Sequence, residues 1–128
     1  MEKESQLNNN PNPEIWTFEI PDVHPSLNVW SKMNRWKMNT LKKQWEHDVF
    51  YLAKQAKIPF FNFPVDIFIT YHHPRQTVDK DNFSPKFIMD GLKPFLIDDN
   101  IKIVKKLDWD FVKSDKKKSI IEIRRFSE

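Results

Sequence analysis

Five carboxylates fall between Arg75 and Asn100: Asp79 and Asp81 in the run Arg75-Gln-Thr-Val-Asp79-Lys80-Asp81-Asn82, then Asp90, then Asp98-Asp99. In an extended segment, residues two apart point to the same side with Cα atoms roughly 6.5 to 7 Å apart. Asp79 and Asp81 can therefore converge on one hard cation, which takes carboxylate oxygens at about 2.0 to 2.6 Å. The neighbours Asp98 and Asp99 face opposite ways if extended, so one of the two is expected to join them. A return through a short helix would bring that third carboxylate alongside the pair. Lys86 stands between the two acidic clusters, where its charge can balance the gathered acids or orient a phosphate oxygen or a water. Carboxylates holding one or two divalent ions, with a cation beside them, suit phosphodiester hydrolysis. That reaction needs a deprotonated water and charge relief on the leaving oxygen.

Rival readings of the acids fail on particular residues. A calcium-binding EF-hand loop would use Asp79, Asp81 and Asp90 as positions 1, 3 and 12. However, Phe83 and Ser84 stand at positions 5 and 6, where a ligand and a glycine are needed, and Pro85 follows. Phosphatases of the haloacid dehalogenase type and glycosyltransferases also use Asp-x-Asp. The first need a threonine or valine soon after and a doubly wound sheet, and the second use much larger folds. Neither suits a chain with one glycine and no Gly-rich phosphate loop. A plain solvated turn explains Asp79-Lys80-Asp81 but not the second cluster.

Several elements must position these residues. Residues 1–13 are polar, Asn-rich and interrupted by Pro11 and Pro13, so they are expected to form a disordered tail ahead of one domain over 14–128. Ile15 to Ile20 reads as a first strand, and Pro21 to Trp30 as a loop. From about Asn34 to Lys57, Leu41, Trp45, Val49, Leu52, Ala53 and Ala56 recur at helical steps, with Lys37, Lys42, Lys43, Glu46 and Lys54 opposite. Val65 to Tyr71 is a second strand, apolar enough for the middle of a sheet. Ser84-Pro85 is a good start for a short helix that ends before Pro94. Phe87, Ile88, Gly91 and Leu92 form its buried face, and Asp90 lies one turn from Lys86. Gly91, the only glycine, is expected at a close contact with a strand or a partner. Ile101 to Phe111 reads as a third strand, Val112 to Lys118 as a charged turn, and Ser119 to Arg125 as a fourth strand closing a hairpin. The expected class is α+β: a small mixed sheet of about four strands, with one long and one short helix packed on it.

Composition bounds the setting. The chain has 128 residues, enough for one core, and 21 Lys and Arg against 18 Asp and Glu give a net charge of +3. That balance is mild, but basic residues surround the acidic centre. Lys32, Arg35, Lys42, Lys43, Arg75 and Lys80 are the candidate phosphate contacts. Trp30 and Trp36, both beside cations, are candidates for stacking on exposed bases. The absence of cysteine excludes disulfides and thiolate metal sites and suits a reducing cytoplasm. No apolar run approaches the roughly 18 residues of a membrane span, and Met1-Glu-Lys-Glu-Ser lacks the marks of a secretory leader. The four histidines, at 24, 47, 72 and 73, have no helical metal-ligand spacing, and His72 and His73, which face opposite ways if extended, read as structural or DNA-facing.

The pattern Asp79-Lys80-Asp81-Asn82, Lys86, Asp90-Gly91-Leu92 and Asp98-Asp99 resembles the signature of the RusA family of Holliday junction resolvases. The resemblance is dense over residues 75 to 103. It implies a homodimeric crossover junction endodeoxyribonuclease, dependent on Mg²⁺ with Mn²⁺ as a substitute, which nicks four-way DNA junctions symmetrically in recombination and repair. Asp79, Asp81 and Asp99 match the family's essential carboxylates, Lys86 its active-site lysine, and Asp98 is a weaker fourth acid. In the family pattern the lysine follows the second aspartate by four residues, whereas Lys86 follows Asp81 by five. The alternative is a junction-binding protein of the same fold whose chemistry that extra residue has disabled. For a dimer, the apolar surface is expected from Ile58 to Phe63 or from around Gly91, unless those residues finish the core of the monomer.

Overall fold

A computed structural model describes residues 14–74 and 83–127, with the backbone alone at Asp99. The tail over 1–13 and the candidates Arg75, Asp79, Lys80 and Asp81 lie outside the described residues. The architecture is α+β. Strands β1 (Ile15–Ile20), β2 (Val65–His73), β3 (Val104–Lys113) and β4 (Lys118–Arg125) form one mixed sheet in the order β1-β4-β2-β3. Helices α1 (Leu27–Ser31), α2 (Arg35–Gln55) and α3 (Lys86–Leu92) accompany it.

The sheet departs from the expected hairpin. β4 pairs antiparallel with both β1 and β2, while β3 pairs with β2 in parallel. Side-chain character explains the order. Ile121 and Ile123 of β4 are buried, as an interior strand requires. β3 carries Lys105, Lys106, Asp108, Asp110 and Lys113, charges that an edge strand tolerates and that discourage further pairing. A parallel pair needs a long crossover. Residues 74–103, which hold the whole acidic pattern, are that crossover.

Local signals account for most element boundaries. The Asn34 side chain caps α2 by accepting from the Lys37 amide at 2.8 Å. Trp45, Val49 and Ala53 form the buried stripe of α2, with Leu41 and Leu52 at its margin. Ala56 does not belong to it: it is the exposed C-cap, and Lys57 turns the chain with φ 61°. The expected loop before Trp30 contains α1, whose N-cap Ser26 accepts from the Val29 amide. The third strand begins later than expected, because residues 101–103 form a 3-10 turn in which Asn100 accepts from the Lys102 amide.

One core joins the layers. Phe18, Ile67, Ile69, Ile121 and Ile123 of the sheet meet Val49 of α2 and Ile88 and Leu92 of α3. Ile58 and Phe61 also enter this core, so the run over 58–63 finishes the monomer and leaves Phe60, 55 % exposed, as its main apolar surface. Gly91 makes its close contact with a helix rather than with a strand or a partner. A Cβ added there would lie 2.6 Å from Val49 Cβ and 3.0 Å from the Glu46 carbonyl oxygen. Gly91→Ala should therefore cost about 1 to 3 kcal/mol by overpacking the α2–α3 contact. In a Val49→Ala background the same change should cost clearly less in urea denaturation. Equal cost in both backgrounds would show that the contact does not limit packing.

Candidate active site

One aromatic cluster lies where the crossover leaves the sheet and α3 begins. Tyr71, near the end of β2, is buried, and Phe83, the first described residue after the acidic pair, packs against it with ring centroids 5.4 Å apart. Phe111 of β3 stacks on Tyr71 at 5.2 Å and meets Phe83 edge-on at 4.8 Å. His24 closes the group from the loop before α1, lying over Phe87 of α3 at 5.1 Å and edge-on to Tyr71 at 5.0 Å.

His24 is almost wholly buried, and both of its ring nitrogens have partners. Nδ1 is 3.0 Å from the Pro25 carbonyl, which can only accept, so Nδ1 carries the hydrogen. Nε2 therefore accepts from the Tyr71 hydroxyl at 2.6 Å. Burial lowers the His24 pKa from 6.5 to about 4, against a smaller opposing effect of the Pro25 carbonyl. Burial also pushes ionisation of the Tyr71 hydroxyl well above its usual range. No sequence periodicity marks His24 for this role. The signal was its long-range partner, which only the fold supplies.

Lys86 is the first residue of α3 and is exposed, with Ser84 Oγ accepting from its amide at 3.3 Å. A small apolar cavity of about 40 Å³ between α1, α2 and α3 lies on one side of it, lined by Leu27, Trp30 and Phe87. An open cleft of about 360 Å³ lies on the other, lined by Ser84, Lys86, Asp90, Lys93 and Ile101. Ile101 follows Asp98-Asp99 closely, so the return through α3 brings the start of the short helix beside the chain leaving the second acidic cluster.

The acids differ in availability. Asp90, with its side chain 9 % exposed, is held by Lys93 at 3.3 Å and Lys42 at 3.7 Å, rather than by Lys86. Lys42 is consequently half-buried against α3 and not on the solvated side of α2. Asp98 is exposed, has no ion pair among the described residues, and adopts the left-handed φ of 55° that aspartate tolerates. Residues 97–99 form a 3-10 turn and not a strand, so the alternation expected for Asp98 and Asp99 does not apply. Among the described residues no three acids or histidines group to hold a metal; Asp79 and Asp81 lie outside that set. Of the candidate phosphate contacts, Lys32, Arg35 and Lys43 are exposed. Trp30 is half-buried against Phe87, and its indole N–H is buried without a partner among the described residues. Trp36 is free. No described helix is long and apolar enough to cross a membrane.

No family model and no curated protein matches the chain. The resemblance to RusA resolvases therefore rests on residues 75 to 103 themselves.

The His24–Tyr71 pair makes a pH-dependent contribution to stability. With a folded pKa of about 4 against 6.5 unfolded, the unfolded chain binds the extra proton between these values. Stability should be complete above pH 6.5 and fall by about 3 kcal/mol as pH drops towards 4. Replacing both residues, as His24→Phe with Tyr71→Phe, should flatten the dependence of the urea midpoint between pH 6.5 and 4.5. An unchanged slope in the double variant would remove His24 as its source.

Proposed function

We propose that this chain is a Mg²⁺-dependent endodeoxyribonuclease that cuts four-way DNA junctions by paired nicks, working as a homodimer in recombination or repair. The observation that carries the reading is the cleft beside Lys86. The first helical residue after Asp81 and the segment just after Asp99 line the same opening, the juxtaposition that the Asp79-Lys80-Asp81 and Asp98-Asp99 pattern calls for. The donor chemistry fits a hard cation, with carboxylates on offer and no thiolate in the chain.

In this reading Asp79, Asp81 and Asp99 hold the ion, with Asp98 alongside. A bound Mg²⁺ lowers the pKa of a coordinated water and relieves charge on the leaving oxygen. Lys86, exposed at the mouth of the cleft, orients a non-bridging phosphate oxygen and offsets the gathered negative charge. Asp90 is not a ligand in this scheme, because two lysines already hold it; instead it ties α3 to α2 and so fixes the position of Lys86. Lys32, Arg35, Lys43, Arg75 and Lys80 supply backbone contacts that position the duplex arms without reading sequence. A four-way junction has approximate two-fold symmetry, which a dimer with two acidic clusters matches through one self-complementary interface.

Asp79→Asn, Asp81→Asn and Asp99→Asn should each abolish nicking of a synthetic junction in Mg²⁺ while leaving junction binding in EDTA intact. Full nicking by Asp81→Asn would sink the assignment. Lys86→Ala should lower the single-turnover rate about 10²- to 10³-fold with little change in affinity. A loss of affinity alone would make Lys86 a backbone contact, and wild-type binding without cutting would favour the non-catalytic alternative. In sedimentation the protein should run at about twice its 15.5 kDa monomer mass. Paired nicking by a strict monomer would refute the dimer.

A further inference from the structure

Trp36 is the most exposed large apolar side chain described, at 76 %. It stands in the first turn of α2 on the side away from the core, since the buried stripe runs through Trp45, Val49 and Ala53. A single exposed hydrophobe is common on protein surfaces. The setting of this one is not neutral. Residues 23–45 carry five cationic side chains, Lys32, Arg35, Lys37, Lys42 and Lys43, and no carboxylate. A shallow recess of about 370 Å³ opens beside the indole, lined by Met33, Lys37, Thr40, Leu41 and Gln44.

We infer that Trp36 is a stacking platform for an unpaired DNA base, with the flanking phosphates taken by Lys32, Arg35 and Lys37. The inference rests on the nuclease reading for its ligand class and goes further by requiring unpaired nucleotides. An indole face offers every base a stacking partner whatever its sequence, and the surrounding cations favour a polyanion. A paired base within a duplex arm hides its faces in the stack, so this site selects the open centre of a branched substrate over its arms. Trp30 does not compete for the role, because its ring already packs on Phe87. A protein partner of ordinary composition would bring carboxylates to the cations but has no particular need for the bare ring. The nucleotide uses both.

The test is fluorescence anisotropy with a short labelled oligothymidylate, a plain duplex and a synthetic junction, all in EDTA so that no cutting intervenes. Trp36→Ala should weaken binding of the oligothymidylate by roughly 5- to 150-fold, and Trp36→Phe by less. Binding of the duplex should be unchanged, and the melting temperature should stay at the wild-type value. Equal losses on duplex and oligothymidylate, or no loss on either, would overturn the platform. So would a wild-type dimer that becomes monomeric on Trp36→Ala, since the ring would then belong to an interface between copies. The outcome separates from that of the nuclease reading. A wild-type protein that binds single strands through Trp36 but never nicks leaves the platform standing and removes the nuclease.

Discussion

The hydrogen bond from Tyr71 to His24 is the constraint on which the candidate site depends. It joins residues 47 apart in sequence and sits inside a ring of aromatic side chains. There an unpaired hydroxyl or imidazole would cost about 1 to 3 kcal/mol. Each group satisfies the other, and the Pro25 carbonyl fixes which imidazole nitrogen is free to accept. The consequence is geometric. The bond ties the loop before α1 to the end of β2, and Phe87 packs the start of α3 against the same imidazole. In sequence, the stretch carrying Asp79 and Asp81 lies between Pro74, just past the end of β2, and Phe83, which packs on Tyr71 in this cluster.

A second constraint carries that order across to α2. Gly91 lets the two helices approach until Val49 fills the place where a side chain would be. At that distance Lys42 reaches Asp90 from the neighbouring helix, and Lys93 reaches it from the C-cap of α3. Both pairs are partly screened, so their contribution to stability is small. Their use is positional: they engage the carboxylate of α3 that would otherwise compete for Lys86. The absence of a side chain at one position and two modest ion pairs at the next thus leave Lys86 facing the cleft.

The sequence carried a good part of this in readable form, and the exceptions have physical causes. The long helix was legible because its apolar residues recur with one period over 21 residues and Asn34 caps it. The strands were legible from alternation, but their partners were not. Alternation tells which side of a strand is buried and says nothing about which strand lies next to it. Only the contrast between Ile121 and Ile123 on one strand and the lysines and aspartates of the other hinted that β4 goes inside and β3 to the edge. The five-residue α1 was too short to show a period. His24 was illegible for a different reason. Its role is set by an atom 47 residues away, and a lone histidine in a Pro-rich loop looks the same whether it is a surface residue or the centre of a cluster. Of the candidate site, the acids and Lys86 stood out by type and spacing. The engagement of Asp90 by Lys42 depended on helix packing that spacing does not encode.

The two sides of the sheet are chemically unlike. On the side away from the helices, register and alternation place Glu19, Asp66, Asp108, Asp110 and Glu122 against Lys106, Lys118 and Arg124. The cations there are largely engaged. Arg124 donates to Glu122 at 2.6 Å and lies over the Phe68 ring, and Lys106 lies over the same ring from the neighbouring strand. The carboxylates outnumber them, and one oxygen of Asp66 is buried with no hydrogen-bond donor among the described residues. A phosphate backbone approaching this side would meet more carboxylates than cations. On the helical side, residues 23–45 carry cations and no carboxylate, while at the cleft Lys93 is engaged by Asp90 and Lys86 is an exposed cation. Under the proposed nuclease reading, this asymmetry would orient the DNA before contact. The +3 net charge conceals this asymmetry, because the sum adds two surfaces of opposite character.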